Sequence, residues 1–216
     1  MTSTRTPRQL DPMEIRVLGV LLEKEQTTPE ACPLTVNAIL AGANQKTNRE
    51  PVMTLTEEQV VEALERLRQD VLVWRTESVR AERWQQSVVR RWGLDRAGKA
   101  LMTLLLLRGA QTAGELRSRS DRMHPFASTE EVESALRDMA EIDEPLVREL
   151  PRRPGQKETR WIHLVGQIAE PAETAPLDEP AAAASGRPGL AARVERLEAT
   201  VAQLAEDLKA LKDLLS

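Results

Sequence analysis

The sequence predicts a mainly helical fold with small β-hairpins, built as two tandem copies of one unit and followed by a separate C-terminal helix. Two observations carry this. Thr56, Val60, Ala63, Leu64 and Leu67 are matched by Ser128, Val132, Ala135, Leu136 and Met139 at a constant offset of 72, and repeats of this length mark duplicated structural units. With no Tyr, one Phe and four Trp, the core must also be assembled from Leu, Val, Ile, Ala and Met, which suits helices. Units of about 75 residues bury modest cores, so they are expected to lean on each other or on a second chain.

The elements follow in order from local chemistry. Asp11, Pro12 and Glu14 supply an N-cap, a first-turn proline and a capping-box acid. Ile15, Leu18, Leu21 and Leu22 then form one face of a helix ending near Glu25. Thr27 or Thr28 with Pro29 starts a second approach to a helical stretch from Leu34 to Ala43, and a polar loop runs from Asn44 to Pro51. Thr56 and Gln59 open a third helix reaching Gln69. Val71 to Trp74 reads as a strand, Glu77 to Arg83 as a charged turn, and Trp84 to Trp92 as a return strand with imperfect alternation. Three helices and a hairpin make the winged helix-turn-helix pattern.

The second unit repeats it. A helix runs from Asp95 to Arg108, another starts at Thr112 with Glu115 as capping partner, and a third starts at Ser128 with Glu131. Leu146 to Leu150 and Arg160 to Leu164 form the second hairpin. Leu101, Leu104, Leu105, Leu106 and Leu107 cover more than one stripe of their helix, which is expected to sit between the units. The units span 9–92 and 93–166.

Residues 167–189 read as a linker, because Pro171, Pro176, Pro180 and Pro188 oppose regular pairing and long helices. Beyond it, Val194, Val201, Leu208 and Leu215 fall at heptad position a, and Leu190, Leu197, Leu204 and Leu211 at d. This 190–215 pattern favours a parallel coiled-coil homodimer, with Arg193 facing Glu198 and Asp207 facing Lys212 across the pair. The other reading is an amphipathic helix folded back on its own chain.

The stretch LEKEQTTPEACPLTVNAILAGANQKTNREPVMTL, together with LLLRGAQTAGELRSRSDRM and RPGQKETRWIHL, resembles the YceH-like family of uncharacterised bacterial proteins over residues 9–166. The resemblance implies a pair of winged-helix domains and supplies no reaction. It leaves the linker and heptad tail outside the shared part.

The N-terminal halves of the third helices are acidic: Glu57, Glu58 and Glu62 in one unit, Glu130, Glu131 and Glu133 in the other. Such faces repel a duplex bearing a charge about every 1.7 Å of axis. Cations lie elsewhere, with Arg80, Arg83, Arg90 and Arg91 around the first hairpin, Arg152, Arg153 and Lys157 in the second, and Arg117, Arg119 and Arg122 past Thr112. Asn44, Gln45, Lys46, Asn48 and Arg49 form a loop rich in donors for phosphate or carbonyl groups. Arg108 to Thr112 makes a comparable junction. These residues predict contact with DNA through its backbone, in a transcriptional or chromosome-associated regulator. The rival expectation is a protein-interaction adaptor without DNA binding.

No catalytic site is expected. His124 and His163 are the only histidines and Cys32 the only cysteine, which gives neither a nucleophile motif nor zinc spacing. No cofactor or metal is expected. The absence of a signal peptide and of a long apolar run predicts a cytoplasmic protein with no membrane contact.

Overall fold

Asp11 opens α1 (Pro12–Thr27): its carboxylate accepts from the Met13 and Glu14 backbone N–H groups, and Glu14 accepts from the Asp11 N–H. This reciprocal cap satisfies donors that a helix start leaves unpaired. The computed structural model describes residues 8–77, 82–152, 155–156 and 158–166. All lie in one compact unit, Met1–Ala172. After α1 come a 3-10 turn (Pro29–Ala31), α2 (Val36–Ala43), α3 (Glu57–Gln69) and a hairpin of β1 (Val73–Glu77) and β2 (Glu82–Gln86). Short α4 (Val88–Trp92) leads to α5 (Arg96–Arg108), α6 (Ala113–Ser120) and α7 (Thr129–Ala140). A second hairpin follows, of β3 (Val147–Leu150) and β4 (Arg160–His163). The described chain is mainly helical with small antiparallel hairpins.

Both hairpins gain a third segment in the same way. The Leu34 and Trp84 backbones exchange N–H···O bonds of 2.9 and 2.7 Å, and Gln111 and Trp161 exchange bonds of 3.1 and 2.8 Å. Each partner in the second pair lies 77 positions beyond its counterpart. The duplication read from side-chain spacing is therefore repeated in backbone pairing.

Two boundaries differ from the sequence expectation. The return strand ends at Gln86, and Val88 to Trp92 turns instead into α4. Val88 and Trp92 are buried at helical spacing, and Gly93 closes the turn with φ +67°, a conformation glycine adopts without a Cβ penalty. The first strand starts at Val73, because Val71 holds φ 58° in a helix-ending turn where the Leu72 N–H reaches the Leu67 carbonyl at 2.9 Å.

The core joins both copies of the repeat. Its most extensive helix contact is between α1 and α5, with Glu14 to Leu22 of α1 continuously buried. A Cβ at Gly19 would stand 2.8 Å from Leu107 Cδ2 and 3.3 Å from Leu106 Cβ, so glycine there sets how closely the helices approach. Helix α5 also touches α6, α7 and β4, which accounts for leucines around most of its circumference.

Fully buried Glu14 is neutralised from two sides. Arg66 Nε of α3 reaches it at 3.0 Å while Nη2 reaches Asp11 at 2.6 Å, and Arg8 bridges Glu14 to Asp70. One residue before the Asp11 cap, the Leu10 N–H donates to the Val165 carbonyl at 3.1 Å, and Leu10 forms a parallel bridge with Gly166. Among the described residues no helix is long and apolar enough to cross a membrane. The linker 167–189, the heptad residues Leu190, Val194, Leu197, Val201, Leu204, Leu208, Leu211 and Leu215, and the cations Arg80, Arg153 and Lys157 lie outside the described residues.

Candidate functional site: a cleft where the repeats meet

The donor-rich loop between α2 and α3 is held mainly from within the protein. Arg16, buried in α1, donates from Nη1 to the Ala43 carbonyl at 3.1 Å and from Nη2 to the Pro51 carbonyl at 2.6 Å, so one guanidinium ties both ends of the loop. Burial first, then the Arg49 charge, push Arg16 down to about 10. Asn44 bonds the Leu55 backbone twice, as donor at 2.9 Å and acceptor at 2.7 Å. The Glu50 N–H donates to the Leu107 carbonyl at 2.9 Å, which docks the loop on the end of α5.

Arg49 corrects the sequence expectation. Its side chain is buried, donating from Nε to the Gly42 carbonyl at 3.0 Å and gripping Glu23 at 3.0 and 2.6 Å. A carboxylate on α1 and an end carbonyl of α2 meet its fork geometry, so this cation serves the fold. Gln45 is half-buried, while Lys46 and Asn48 are exposed. The Asn48 side-chain oxygen accepts from Arg108 Nη1 at 2.8 Å, linking the first repeat's loop to the end of the second repeat's first helix.

Beside that bond is a cleft of about 560 Å³. Glu23, Lys24, Gln45 and Asn48 form its first-repeat wall, and Arg108, Arg119, Asp121 and Arg122 its second. Leu104, Leu107 and Met123 provide apolar surface. Glu23 is already neutralised by Arg49, and Arg119 reaches Gln111 at 2.7 Å and Glu115 at 3.3 Å. Burial and then the Arg119 charge lower the Arg108 pKa. With Glu23 and Arg119 already paired, Lys24, Arg108 and Arg122 outnumber Asp121 along the cleft, a setting suited to an anionic ligand.

Other expected contact residues divide into two groups. Arg83 donates to the Pro33 carbonyl at 2.8 Å and Arg91 to the Asp70 carbonyl at 2.9 Å. Arg117 bonds the carbonyls of Phe126 and Ala127 at 3.4 and 2.9 Å. Each of these arginines braces a turn through part of its guanidinium. Arg90, Arg122 and Arg152 are exposed and, like Lys46, make no side-chain hydrogen bond or ion pair with another described residue. The cleft brings together Gln45, Asn48, Arg119 and Arg122 from the expected set, and adds Lys24, which spacing alone did not single out. Arg108 was visible only as part of a junction. Both lie in the first two motif stretches, LEKEQT and LLLRGAQT, and that shared context was the available signal.

The remaining chemistry is structural. Burial pushes His163 in β4 down to about 4, and burial raises the Cys32 thiol pKa, opposite to what a reactive thiolate needs. Among the described residues no group of three or more His, Cys, Asp or Glu side chains is placed to hold a metal ion.

A helical protein of two joined repeats, with a cationic cleft at their seam, is the class that these features define. The family model described as "Protein of unknown function, DUF480" matches residues 10–156. The chain is 43% identical over 212 residues to a UPF0502 protein of Paraburkholderia phymatum, covering 93% of this chain and 90% of the relative. It is 42% identical to UPF0502 proteins of Burkholderia lata over 214 residues and Burkholderia ambifaria over 219 residues. Those matches cover 94% and 96% of this chain and 91% and 93% of the relatives. The chain belongs to this UPF0502 family, with which the YceH-like resemblance agrees. Matches of this extent continue past residue 166, so the likeness takes in part of the C-terminal segment that the motif comparison left outside.

Proposed function

We propose that this protein binds nucleic acid, with DNA as the partner, through two tandem winged-helix units that contact the phosphate backbone. The observation that carries the reading is the set of exposed cations Lys46, Arg90, Arg148 and Arg152, whose side chains bond no other described residue. They leave donors available to phosphate. The third helices point to another kind of contact: Glu57, Glu58 and Glu62 on α3 and Glu130 and Glu131 on α7 are exposed and would oppose insertion into a groove. Wing-like bridges at Leu34–Trp84 and Gln111–Trp161 support the fold assignment, and fold supplies the bias toward DNA by analogy. A cytoplasmic location and a dimer formed through the heptads of residues 190–215 belong to the same reading.

The test is fluorescence anisotropy of the full chain with a labelled duplex. Affinity is expected to fall at least tenfold between about 50 and 200 mM salt. Lys46→Glu and Arg152→Glu are each expected to weaken binding and to reduce the salt slope by about 1. Absent or salt-insensitive binding rejects the proposal.

A second reading, a protein-interaction adaptor, is favoured by exposed apolar groups, one of them within the acidic face of α3. Val61 on α3 is 39% exposed between Glu57 and Glu65 at helical spacing, and Trp74 on β1 is 59% exposed. An apolar anchor with surrounding carboxylates suits a protein surface better than phosphate. Nuclease-resistant recovery of one stoichiometric partner, lost with Trp74→Ala or Val61→Asp, supports this alternative.

A further inference from the structure

We propose that the cleft between the repeats is a binding site for a small phosphorylated ligand, with Lys24, Arg108 and Arg122 receiving the phosphate and Leu104 and Met123 supporting the rest. This goes beyond the nucleic-acid reading and does not depend on it. Charge accounting points to the ligand class. Glu23 is committed to Arg49, and Arg119 is matched by Glu115. Asp121 then remains beside Lys24, Arg108 and Arg122 on the cleft lining. The surplus of two positive charges complements a phosphate monoester, which carries about −1.5 to −2 near neutral pH.

Geometry supports the same class. Lys24 and Arg122 make no side-chain bond to another described residue, so both retain their donors. Arg108 is anchored through one nitrogen by Asn48 at 2.8 Å, which orients the guanidinium while leaving other N–H groups for an anion. An incoming phosphate would offset the repulsion between Arg108 and Arg119. The volume of about 560 Å³ lies in the usual range of small-molecule sites. Leucine and methionine on the lining favour an organic phosphate over a bare ion. Because Lys24 belongs to the first repeat and Arg108 and Arg122 to the second, the ligand would bridge the repeats.

Isothermal titration of the full chain with adenosine monophosphate and with inorganic phosphate tests this, with adenosine as the control lacking phosphate. Saturable binding of either phosphate probe, no binding of adenosine, and at least tenfold weakening by Lys24→Ala and Arg122→Ala are the expected results. Arg137→Ala, at an exposed arginine of α7 outside the cleft lining, should leave affinity unchanged, and circular dichroism should show that all three variants fold. Absence of saturable binding, or binding undiminished in both cleft variants, overturns the inference. Duplex binding that weakens in these variants while neither phosphate probe binds also overturns it and gives the cleft to nucleic acid. Probe binding with the expected variant losses and no duplex binding upholds the inference while rejecting the DNA proposal.

Discussion

The Arg49 guanidinium holds the Glu23 carboxylate in a two-pronged grip, Nη1 3.0 Å from Oε1 and Nη2 2.6 Å from Oε2. It joins the loop after α2 to α1. Removing only the acid leaves a buried cation without its counter-charge, which costs far more than losing an exposed pair. Glu23→Ala is expected to reduce stability by about 3 kcal/mol in urea unfolding, whereas Lys46→Ala should change it by less than about 0.5 kcal/mol. Equal small effects would show that the loop does not depend on this pair.

Acid should weaken the fold through His163. Its native pKa is about 4 because burial disfavours the charged ring, against 6.5 for an unperturbed histidine. Between those values the unfolded chain binds the proton more strongly than the native one, so stability falls as pH drops from 6.5 toward 4. The full contribution is about 3 kcal/mol. Urea midpoints at several pH values should show this slope in the wild type and a reduced slope in His163→Leu; identical slopes would exclude His163 as its source.

Gly19 fixes the closest approach of α1 and α5. Gly19→Val would force its side chain into Leu107 and Leu106, whose atoms already lie within contact distance of a Cβ alone. A loss of about 3 kcal/mol is expected from overpacking. A thermal midpoint at or above that of the wild type would show that the helices can separate without penalty.

Val71 presents the opposite opportunity. Its φ of 58° imposes a steric cost on a β-branched residue, and its side chain is 51% exposed. Val71→Gly is expected to stabilise the protein by about 0.5–1 kcal/mol after the added chain entropy is counted. An unchanged or lower urea midpoint would contradict that balance.

The capped helices were legible because their side-chain signals act over three or four residues: Asp11 with Glu14, Thr56 with Gln59, Thr112 with Glu115. The turn at Val71 was not, since valine occupies a conformation that usually announces itself with glycine. The span from Val88 to Trp92 reads as strand in the sequence because two apolar residues four apart fit an imperfect strand as well as a helical turn. At the candidate site, Gln45, Asn48, Arg119 and Arg122 were visible as polar residues in distinctive stretches. Their convergence was hidden, because it depends on contact between α1 and α5 across about 80 residues of chain. Arg49 illustrates the same gap: its donors were apparent, but their direction was set by Glu23, 26 positions earlier.

The bridge between Leu10 and Gly166 brings the described core's incoming and outgoing backbone to one mooring. Exchange of the Leu10 amide proton with solvent therefore reports the release of both ends of the core at once, since neither can depart while that hydrogen bond to Val165 stands.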